Sequence, residues 1–165
     1  MPRVYSRHMQ SRYIDGLTIR ALRDGDTETV AALFARLGER SRERRFCGAK
    51  PRLSDLELAT LARVDRDRHV LVAYADGDPE PVGIARLVRE GHSAEIAFAV
   101  ADDYHGRRIG STLASELAAD ARAAGIAQLT ATVCGDNPRM IALLERLGSL
   151  DVSWHGRERG IVLGI

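Results

Sequence analysis

The sequence has few cysteines and no long apolar run, and both absences narrow the class of protein it can belong to. Its 165 residues include only Cys47 and Cys134, too few for a disulfide framework, which favours a reducing compartment. No stretch is long and apolar enough to cross a bilayer. The first residues, MPRVYSRHMQ, lack the apolar centre of a signal peptide. We therefore expect a cytoplasmic protein with no membrane partner.

The sequence also lacks an excess of positive or of negative charge. The chain has 24 basic and 23 acidic residues and a formal net charge of +1, whereas proteins that bind nucleic acids generally carry a basic excess. Lys50 is the only lysine, so arginine supplies nearly all of the positive charge. Apolar residues make up 45% and charged residues 28% of the chain, which is ordinary for a globular domain. Nucleic acid is therefore not an expected partner.

The pattern along the chain predicts a short arm followed by one domain. Residues 1–16 show no hydrophobic period, and we expect them to form a mobile N-terminal arm. Residues 17–165 suffice for a single domain with a substantial core and leave little room for a second. The predicted elements follow the order β, α, α, β, β, β, α, β, α, β, β. This order indicates an α+β domain in which helices pack against a mixed sheet.

Local signals place the elements of the first half. The alternation of apolar residues from Leu17 to Leu22 predicts a strand, and Asp26 or Thr27 can cap a helix that ends at Gly38. The segment ERSRERRF follows, and then a loop. Residues 54–57 form a capping box, which is a strong signal for the start of another helix.

The character of the chain changes at His69. Three strands, HVLVAYA, PVGIARLV and SAEIAFAV, are separated by turns and predict an antiparallel meander. A helix with apolar residues one turn apart begins near Ile109 and ends at Gly125. The remaining predicted elements are a strand over 128–133, a helix opened by Asn137-Pro138, and a closing pair of strands at 152–154 and 160–165.

The third strand of the meander carries one carboxylate among apolar residues. Because side chains alternate across a strand, Glu95 shares a face with Ala97 and Ala99, and the small residues leave room beside it. A slender chain could lie in that space, with the carboxylate close to its end. The alternative is that Glu95 sits at a strand end in water.

The loop after this strand leads into the start of a helix. Gly106 and Gly110 let a ligand approach the backbone closely, and residues 107–112 present N–H groups that a helix leaves unpaired. Arg107 and Arg108 add positive charge beside them, which favours phosphate. Many helices begin in this way and bind nothing. Together with Glu95, however, the loop suggests the transfer of an acyl group from a phosphate-bearing carrier to an amine.

These residues resemble a known family. The strand with His105-Gly106-Arg107-Arg108-Ile109-Gly110-Ser111 is similar to the acyl-CoA signature of the GNAT acetyltransferases, usually Q/R-x-x-G-x-G/A. The similarity extends from Leu17 to Ile165 through the order of elements and the segment from Asn137-Pro138 to Gly148. The stretch LGERSRERRF also resembles "LSPESRYLRF" of bacterial GNAT domains similar to the protein-lysine acetyltransferases.

The resemblance implies a fold and a set of site residues. The fold would be a mostly antiparallel sheet of six to seven strands with about four helices. Acetyl-CoA would be the co-substrate, no metal would be needed, and Glu95 would be the general base. The residues that the resemblance assigns to acetyl-CoA are Phe98, Ala99 and Val100 for the pantetheine arm, His105 and Gly106, then Arg107, Arg108, Ile109, Gly110, Ser111 and Thr112 for the pyrophosphate, and Asn137.

The sequence departs from the family at two positions. Arg108 replaces the first glycine of the signature, and Leu144 replaces a tyrosine that often protonates the leaving thiolate. Tyr104 and Cys134 are possible substitutes, although a buried cysteine more often only fills space. Because a thiol has a reference pKa of about 8.5, the thiolate can also leave without a proton donor.

The implied reaction is direct transfer of an acetyl group within a ternary complex, to a protein lysine or to a small-molecule amine. The arginines of ERSRERRF form either a solvated helix face or, with Phe46, part of the acceptor cleft. His8, His69, His92 and His155 have no metal-ligand spacing, and Trp154 suits the core or an interface. A homodimer is possible. The alternative function is a non-catalytic module that binds or senses acyl-CoA.

Overall fold

Apolar side chains that alternate along the strands build the sheet at the centre of the molecule. A computed structural model describes residues 11–165, and these contain eight strands and five α-helices. The strands are β1 (Arg12–Ile14), β2 (Leu17–Ala21), β3 (Arg68–Ala75), β4 (Pro81–Glu90), β5 (Ser93–Val100), β6 (Gln128–Cys134), β7 (Leu150–His155) and β8 (Glu158–Gly164). The helices are α1 (Thr27–Ala35), α2 (Glu39–Phe46), α3 (Asp55–Leu61), α4 (Ile109–Ala123) and α5 (Pro138–Glu145).

All eight strands join one sheet in the order β1-β2-β3-β4-β5-β6-β8-β7. Neighbouring strands are antiparallel except β5 and β6, which run parallel. The predicted α+β architecture is confirmed, with one strand and one helix more than the resemblance implied. A short 3₁₀ turn at Asp102–Tyr104 connects β5 to the loop before α4.

One face of the sheet is covered by α4, whose apolar stripe is fully buried. Leu113 and Leu117 pack into the main core against β3, β4 and β5, as their spacing predicts. The helix lies so close to β4 that a Cβ atom added at Gly83 would stand 2.8 Å from Leu113 Cδ1 and 2.9 Å from Ile109 Cγ2. Gly83 therefore sets the distance between α4 and the sheet.

The other face is covered by α1 and α3 over a smaller core that contains Val30, Val70 and Val72. Both predicted caps are present. The Asp26 carboxylate accepts from the backbone N–H of Thr29, and Ser54 and Glu57 form the reciprocal capping box that starts α3.

Three expectations need correction. Residues 12–14 were expected in the mobile arm, but they form β1, and Arg12 makes ion pairs with Glu116 and Asp120. The sequence order omitted α2, which ERSRERRF forms. Trp154 does not lie in the core, because 67% of its surface is exposed and Arg159 stacks on its ring. His8 lies outside the described residues.

Within residues 11–165, no helix has both the length and the apolar character needed to cross a membrane.

We expect Gly83→Ala to destabilise the protein by about 1–3 kcal/mol, because the new methyl group must displace two buried side chains of α4. Gly164→Ala is the matched control, since Gly164 also lies in a strand and has open space where a Cβ would stand. Urea denaturation of both variants measures the difference. Equal midpoints for the two variants would contradict the close packing of α4 on β4.

Candidate active site

The parallel pair β5 and β6 separates part-way along its length. Only Ser93, Ala94 and Glu95 pair with β6, opposite residues 128–130. Beyond Glu95, β5 continues to Val100 while remaining paired with β4 on its other side. The backbone edge of β5 that faces β6 therefore has no strand partner over residues 96–100 within the described part of the chain, and this edge can receive an extended ligand.

A cavity of about 430 Å³, here called the first cavity, lies next to this edge. Its walls come from β5, the loop before α4, the first turn of α4, helix α2 and helix α5. Its lining residues are Ser41, Arg44, Arg45, Phe98, Ala99, Val100, Tyr104, His105, Gly106, Arg108, Ile109, Gly110, Ser111, Asn137, Arg139, Met140, Ala142, Leu143 and Arg146. The cavity thus combines an open strand edge with the N-terminus of a long helix.

The first cavity is strongly electropositive. Five of its lining residues are arginines, and none is an aspartate or glutamate. At its end, Thr112 is the first residue of α4 whose backbone N–H bonds back into the turn, to the carbonyl of Arg108 at 3.0 Å. Helix geometry leaves the three preceding amides without an intrahelical acceptor. This end of the cavity is suited to a phosphate group.

The structure brings most of the predicted cofactor residues together. All of them line the first cavity except Arg107 and Thr112. The Arg107 guanidinium lies over the ring of Tyr104, 4.8 Å from its centre, and the Thr112 hydroxyl donates to the Arg108 carbonyl at 2.8 Å. These two side chains are therefore turned to other partners, while their backbone remains at the start of α4.

Two predicted residues already have partners within the protein. His105 Nε2 lies 3.0 Å from the carbonyl oxygen of Val100, one of the backbone groups expected to meet the pantetheine arm. The Asn137 side-chain oxygen accepts from the backbone N–H of Met140 at 3.3 Å and caps α5. Asn137 also lines the first cavity.

Sequence reasoning missed two cationic residues of this site. Arg139 and Arg146 lie on α5 and line the first cavity, where Arg146 donates to the hydroxyl of Ser111 at 3.3 Å. Nothing in the sequence around them resembles a phosphate-binding motif. Their role depends on how α5 packs beside α4, which a local pattern does not reveal.

Glu95 is exposed and lines a second cavity of about 360 Å³ on the opposite face of the sheet from α4. The lining residues of this second cavity are Arg45, Phe46, Leu56, Glu57, Thr60, Leu61, Arg86, Val88, Glu95, Ile96 and Ala97. Arg45 lines both cavities, so they meet at its side chain. The carboxylate faces a cleft next to the first cavity and is exposed to solvent there.

The arginines of α2 are not merely a solvated face. Arg44 and Arg45 line the first cavity, and Arg44 donates to the Asp136 carbonyl at 3.1 Å. Arg42 stacks on Phe34, with its guanidinium 4.1 Å from the ring centre. Helix α2 therefore lies across the site and lines both cavities, and its role in an acceptor cleft stays a prediction.

Comparison with known proteins agrees with this geometry. Residues 33–149 match the Acetyltransferase (GNAT) family. The chain is 34% identical over 160 residues to the acetyltransferase Pat of Mycolicibacterium smegmatis, a match that covers 94% of this chain and 46% of that protein. This chain belongs to the GNAT acetyltransferase family.

Solved structures extend the GNAT comparison. The GNAT domain of S. lividans PAT has a TM-score of 0.81 at 27% identity, over 90% of both chains. Spermidine N-acetyltransferase from Vibrio cholerae, in complex with CoA and spermine, has a TM-score of 0.70 at 20% identity over 92% of this chain and 96% of its own, and shows a shared fold. The chain spans less than half the length of the Mycolicibacterium smegmatis acetyltransferase Pat.

The GNAT signature departs from its usual form at Arg108, and the backbone shows the consequence. Arg108 caps α4 with φ of 61° and ψ of 15°, in the left-handed region where glycine is favoured. The chain keeps a cationic side chain beside the helix N-terminus and accepts a backbone conformation that costs about 1 kcal/mol.

Neither sequence-based substitute for the usual tyrosine is a free proton donor. Leu144 is fully buried in the core, so no polar group stands at that position. The Tyr104 hydroxyl donates to Asp78 at 2.7 Å, and this hydrogen bond raises the pKa of Tyr104. Cys134 is bonded to Cys47.

The disulfide between Cys47 and Cys134 was not expected from the sequence. Cys47 ends α2 and Cys134 ends β6, and their Cα atoms are 5.2 Å apart across a sequence separation of 87 residues. The bond fastens α2 to the strand that leads into α5. A carboxylate oxygen of Glu158 lies within 4.8 Å of both sulfur atoms, but sulfur atoms bonded to each other are not thiolate ligands.

We expect Arg108→Gly to be more stable than Arg108→Ala by about 1 kcal/mol, because only glycine adopts the left-handed conformation without strain. Both variants lack the guanidinium, so the difference between their unfolding free energies isolates the backbone. Chemical denaturation provides the measurement. An alanine variant as stable as the glycine variant would show that this residue is not held left-handed.

A second prediction concerns Asp78, which holds Tyr104 at the wall of the first cavity. Hydrogen bonds from Arg36 and then Tyr104 lower the pKa of Asp78 to about 2. A carboxylate with a lowered pKa stabilises the fold above its unfolded pKa of about 3.9, and this contribution is lost as the pH falls toward 2.

Asp78→Asn should therefore be less stable than the parent at pH 7, and the two melting temperatures should converge as the pH is lowered from 4 toward 2. Thermal unfolding followed by circular dichroism at several pH values tests this. A constant difference between the two proteins across that range would exclude the ionised carboxylate as the cause.

Proposed function

We propose that this chain is an acetyl-CoA-dependent N-acetyltransferase that moves an acetyl group directly to an amine, on a protein lysine or on a small molecule. The observation that carries the proposal is the separation of β5 from β6 just after Glu95. It opens a backbone edge that ends at the N-terminus of α4 and places the only carboxylate of β5 at the closed end of the opening.

The first cavity suits the chemistry of acetyl-CoA. Unpaired amides of α4 and the side chains of Arg108 and Arg146 would hold the phosphates, and the open edge of β5 would pair with the pantetheine arm. Phe98, Met140 and Leu143 give the same cavity an apolar wall. When bound, acetyl-CoA supplies a thioester with an electrophilic acetyl carbon.

Glu95 would act as the general base. A lysine amine has a reference pKa of about 10.4, so only about 0.04% is neutral and nucleophilic at pH 7. The Glu95 carboxylate would accept the ammonium proton directly or through one water. Such assistance contributes roughly 10²–10⁴ in rate. The exposure of Glu95 in the second cavity leaves it accessible to an acceptor that enters from that side.

The leaving thiolate would depart without a protein acid. Leu144 is apolar and buried, and the Tyr104 hydroxyl is held by Asp78. A thiol pKa of about 8.5 makes the thiolate an acceptable leaving group near neutral pH. The positive charge of the first cavity would favour the thiolate as it forms.

The alternative function, a module that binds acyl-CoA without reacting it, is favoured by the missing acid at Leu144. A thiol-release assay with a panel of amines and lysine peptides distinguishes the two. CoA binding without release of thiol for any acceptor would support the sensor. Acceptor-dependent release would support the enzyme.

We expect Glu95→Gln to lower kcat/KM by roughly 10²–10⁴ while leaving the affinity for CoA nearly intact, because the base is lost and the first cavity is unchanged. Glu90→Gln is the matched control, since Glu90 is an exposed carboxylate at a strand end that lines neither cavity. Calorimetry measures binding and thiol release measures turnover. A parallel loss of both in Glu95→Gln would refute the assignment as base.

A further inference from the structure

The second cavity holds two guanidinium groups close to Glu95. Arg45 reaches it from α2 and Arg86 from β4, and both line it together with Glu95. In the β4–β5 ladder, Val88 pairs with Glu95 and Arg86 pairs with Ala97. Arg86 is therefore the diagonal neighbour of Glu95 on the same face of the sheet.

No carboxylate of residues 11–165 forms a close ion pair with Arg45, although the charge of Glu95 acts on it. Among residues 11–165, none of the ion pairs within 4.0 Å involves Arg45, and its guanidinium lies 4.9 Å from the centre of the Phe46 ring. Burial, followed by the neighbouring charge of Arg86, lowers the pKa of Arg45 to about 10. The Arg45 guanidinium is thus held partly out of water, next to the cationic side chain of Arg86.

Arg86 also has a guanidinium nitrogen without a hydrogen-bond acceptor among the described residues. One of its terminal nitrogens donates to the Thr60 carbonyl at 3.2 Å, while its Nε is buried with no hydrogen-bond acceptor in the described part of the chain. Burial lowers the pKa of Arg86 as well. A buried guanidinium N–H without an acceptor is costly, and the Nε atoms of Arg42 and Arg159 are in the same state. What distinguishes Arg86 is that its side chain lines the second cavity beside Arg45, where both guanidinium groups would donate to an anion.

Other arginines of this protein contrast with this pair. Arg36 contacts Asp78 at 2.9 Å, Arg68 contacts Asp65 at 2.8 Å, and Arg12 contacts Asp120 at 2.8 Å. Each of these three arginines lies partly out of water and has a carboxylate within ion-pair distance, whereas Arg42 and Arg89 donate to backbone carbonyls. At the second cavity, no carboxylate of residues 11–165 lies within ion-pair distance of Arg45 or Arg86, although the chain has nearly as many acidic as basic residues.

The acidic residues of the second cavity do not cancel its charge. Glu57 is already engaged by the Lys50 ammonium at 2.5 Å and by the capping box, which lower its pKa to about 2. Glu95 is the other carboxylate among the residues that line this cavity. From outside the lining, Asp65 acts on Arg86 against the opposing charge of Arg68. The cavity keeps one uncompensated positive charge beside the proposed base.

We propose that Arg45 and Arg86 bind a carboxylate of the acceptor, so that the preferred acceptor carries a negative group near the amine that meets Glu95. The inference rests on the proposed acetyltransferase function and names the acceptor class. Guanidinium groups suit this role because their planar N–H donors match the two oxygens of a carboxylate. The carboxylate also holds the amine at a fixed distance from the base, which orients the attack.

The carboxylate that Arg45 and Arg86 would bind can belong to either of two kinds of acceptor. The carboxylate can be the main-chain carboxylate of an amino-acid-like small molecule, or the side chain of an aspartate or glutamate beside a lysine in a protein. Two matched pairs of acceptors distinguish them. One pair is Nα-acetyl-lysine and its neutral C-terminal amide. The other is a lysine peptide with blocked ends and aspartate beside the lysine, and the same peptide with asparagine.

The test is the ratio of kcat/KM for the acidic and the neutral member of each pair. We expect the native protein to favour the acidic member by about tenfold to a hundredfold in at least one pair, as charge-assisted hydrogen bonds provide. The pair that shows the larger ratio identifies the source. Equal rates for the acidic and neutral members of both pairs would overturn the inference without any variant being made.

Variants assign the effect to these arginines. Arg45→Gln and Arg86→Gln should each bring the ratio close to one, and Arg45→Lys should restore part of it because the charge remains without the planar fork. Arg40→Gln is the matched control, since Arg40 is exposed on α2 and lines neither cavity. Acidic preference that survives in both glutamine variants would overturn the assignment.

The outcomes separate this inference from the proposed function. Thiol release with neutral and acidic acceptors at equal rates would leave the acetyltransferase standing and remove the carboxylate site. CoA binding with no thiol release for any of the four acceptors, or for simple amines, would refute the enzyme and the inference together. Calorimetry with CoA on Arg86→Gln, whose residue lies outside the first cavity, confirms that the variant is folded and retains that cavity, and circular dichroism checks the fold of the Arg45 variants.

Discussion

The arrangement of the site depends on one limited interaction, the parallel pairing between β5 and β6 that ends at Glu95 and Thr130. If the pairing continued, the backbone groups of residues 96–100 would be used within the sheet and no ligand could reach them. Because it stops, a sheet that is otherwise continuous acquires an internal edge. An internal edge can bind an extended ligand, and helices α2 and α5 lie beside the edge of β5.

The close contact of α4 with β4 places the helix N-terminus at one end of the open edge of β5. Gly83 admits α4 to within van der Waals contact, so the first turn of the helix stands at the end of the opening. A bulkier residue there would move the helix amides away from the site. The left-handed backbone of Arg108 also helps to place these amides, because it turns the chain abruptly into α4. The Arg108 side chain adds a cation beside them. The backbone accepts local strain where a ligand is expected to compensate for it.

Local patterns predicted the elements but not the contacts between them. The alternation around Glu95, the capping box at residues 54–57 and the cap at Asn137 are short-range features, and each was recognised from the sequence. The disulfide joins residues 87 positions apart, and Arg146 meets Ser111 across 35 positions. Helix α2 has no apolar stripe, because its long cations stack on rings and line cavities instead of filling a core. A search for hydrophobic periodicity therefore does not predict such a helix.

Although the net charge of the protein is near zero, its positive charges are concentrated around the two cavities. Arg36 and Arg68 are paired with aspartates, whereas six arginines line the two cavities, five in the first and two in the second with Arg45 shared between them. Holding so many cations together costs free energy in the unbound protein, and burial adds to the cost at Arg45. A fold retains such an arrangement when ligands supply the missing anions. The phosphates of the donor would do so on one side of Arg45, and a carboxylate of the acceptor on the other, so that both substrates meet where the positive charge is concentrated.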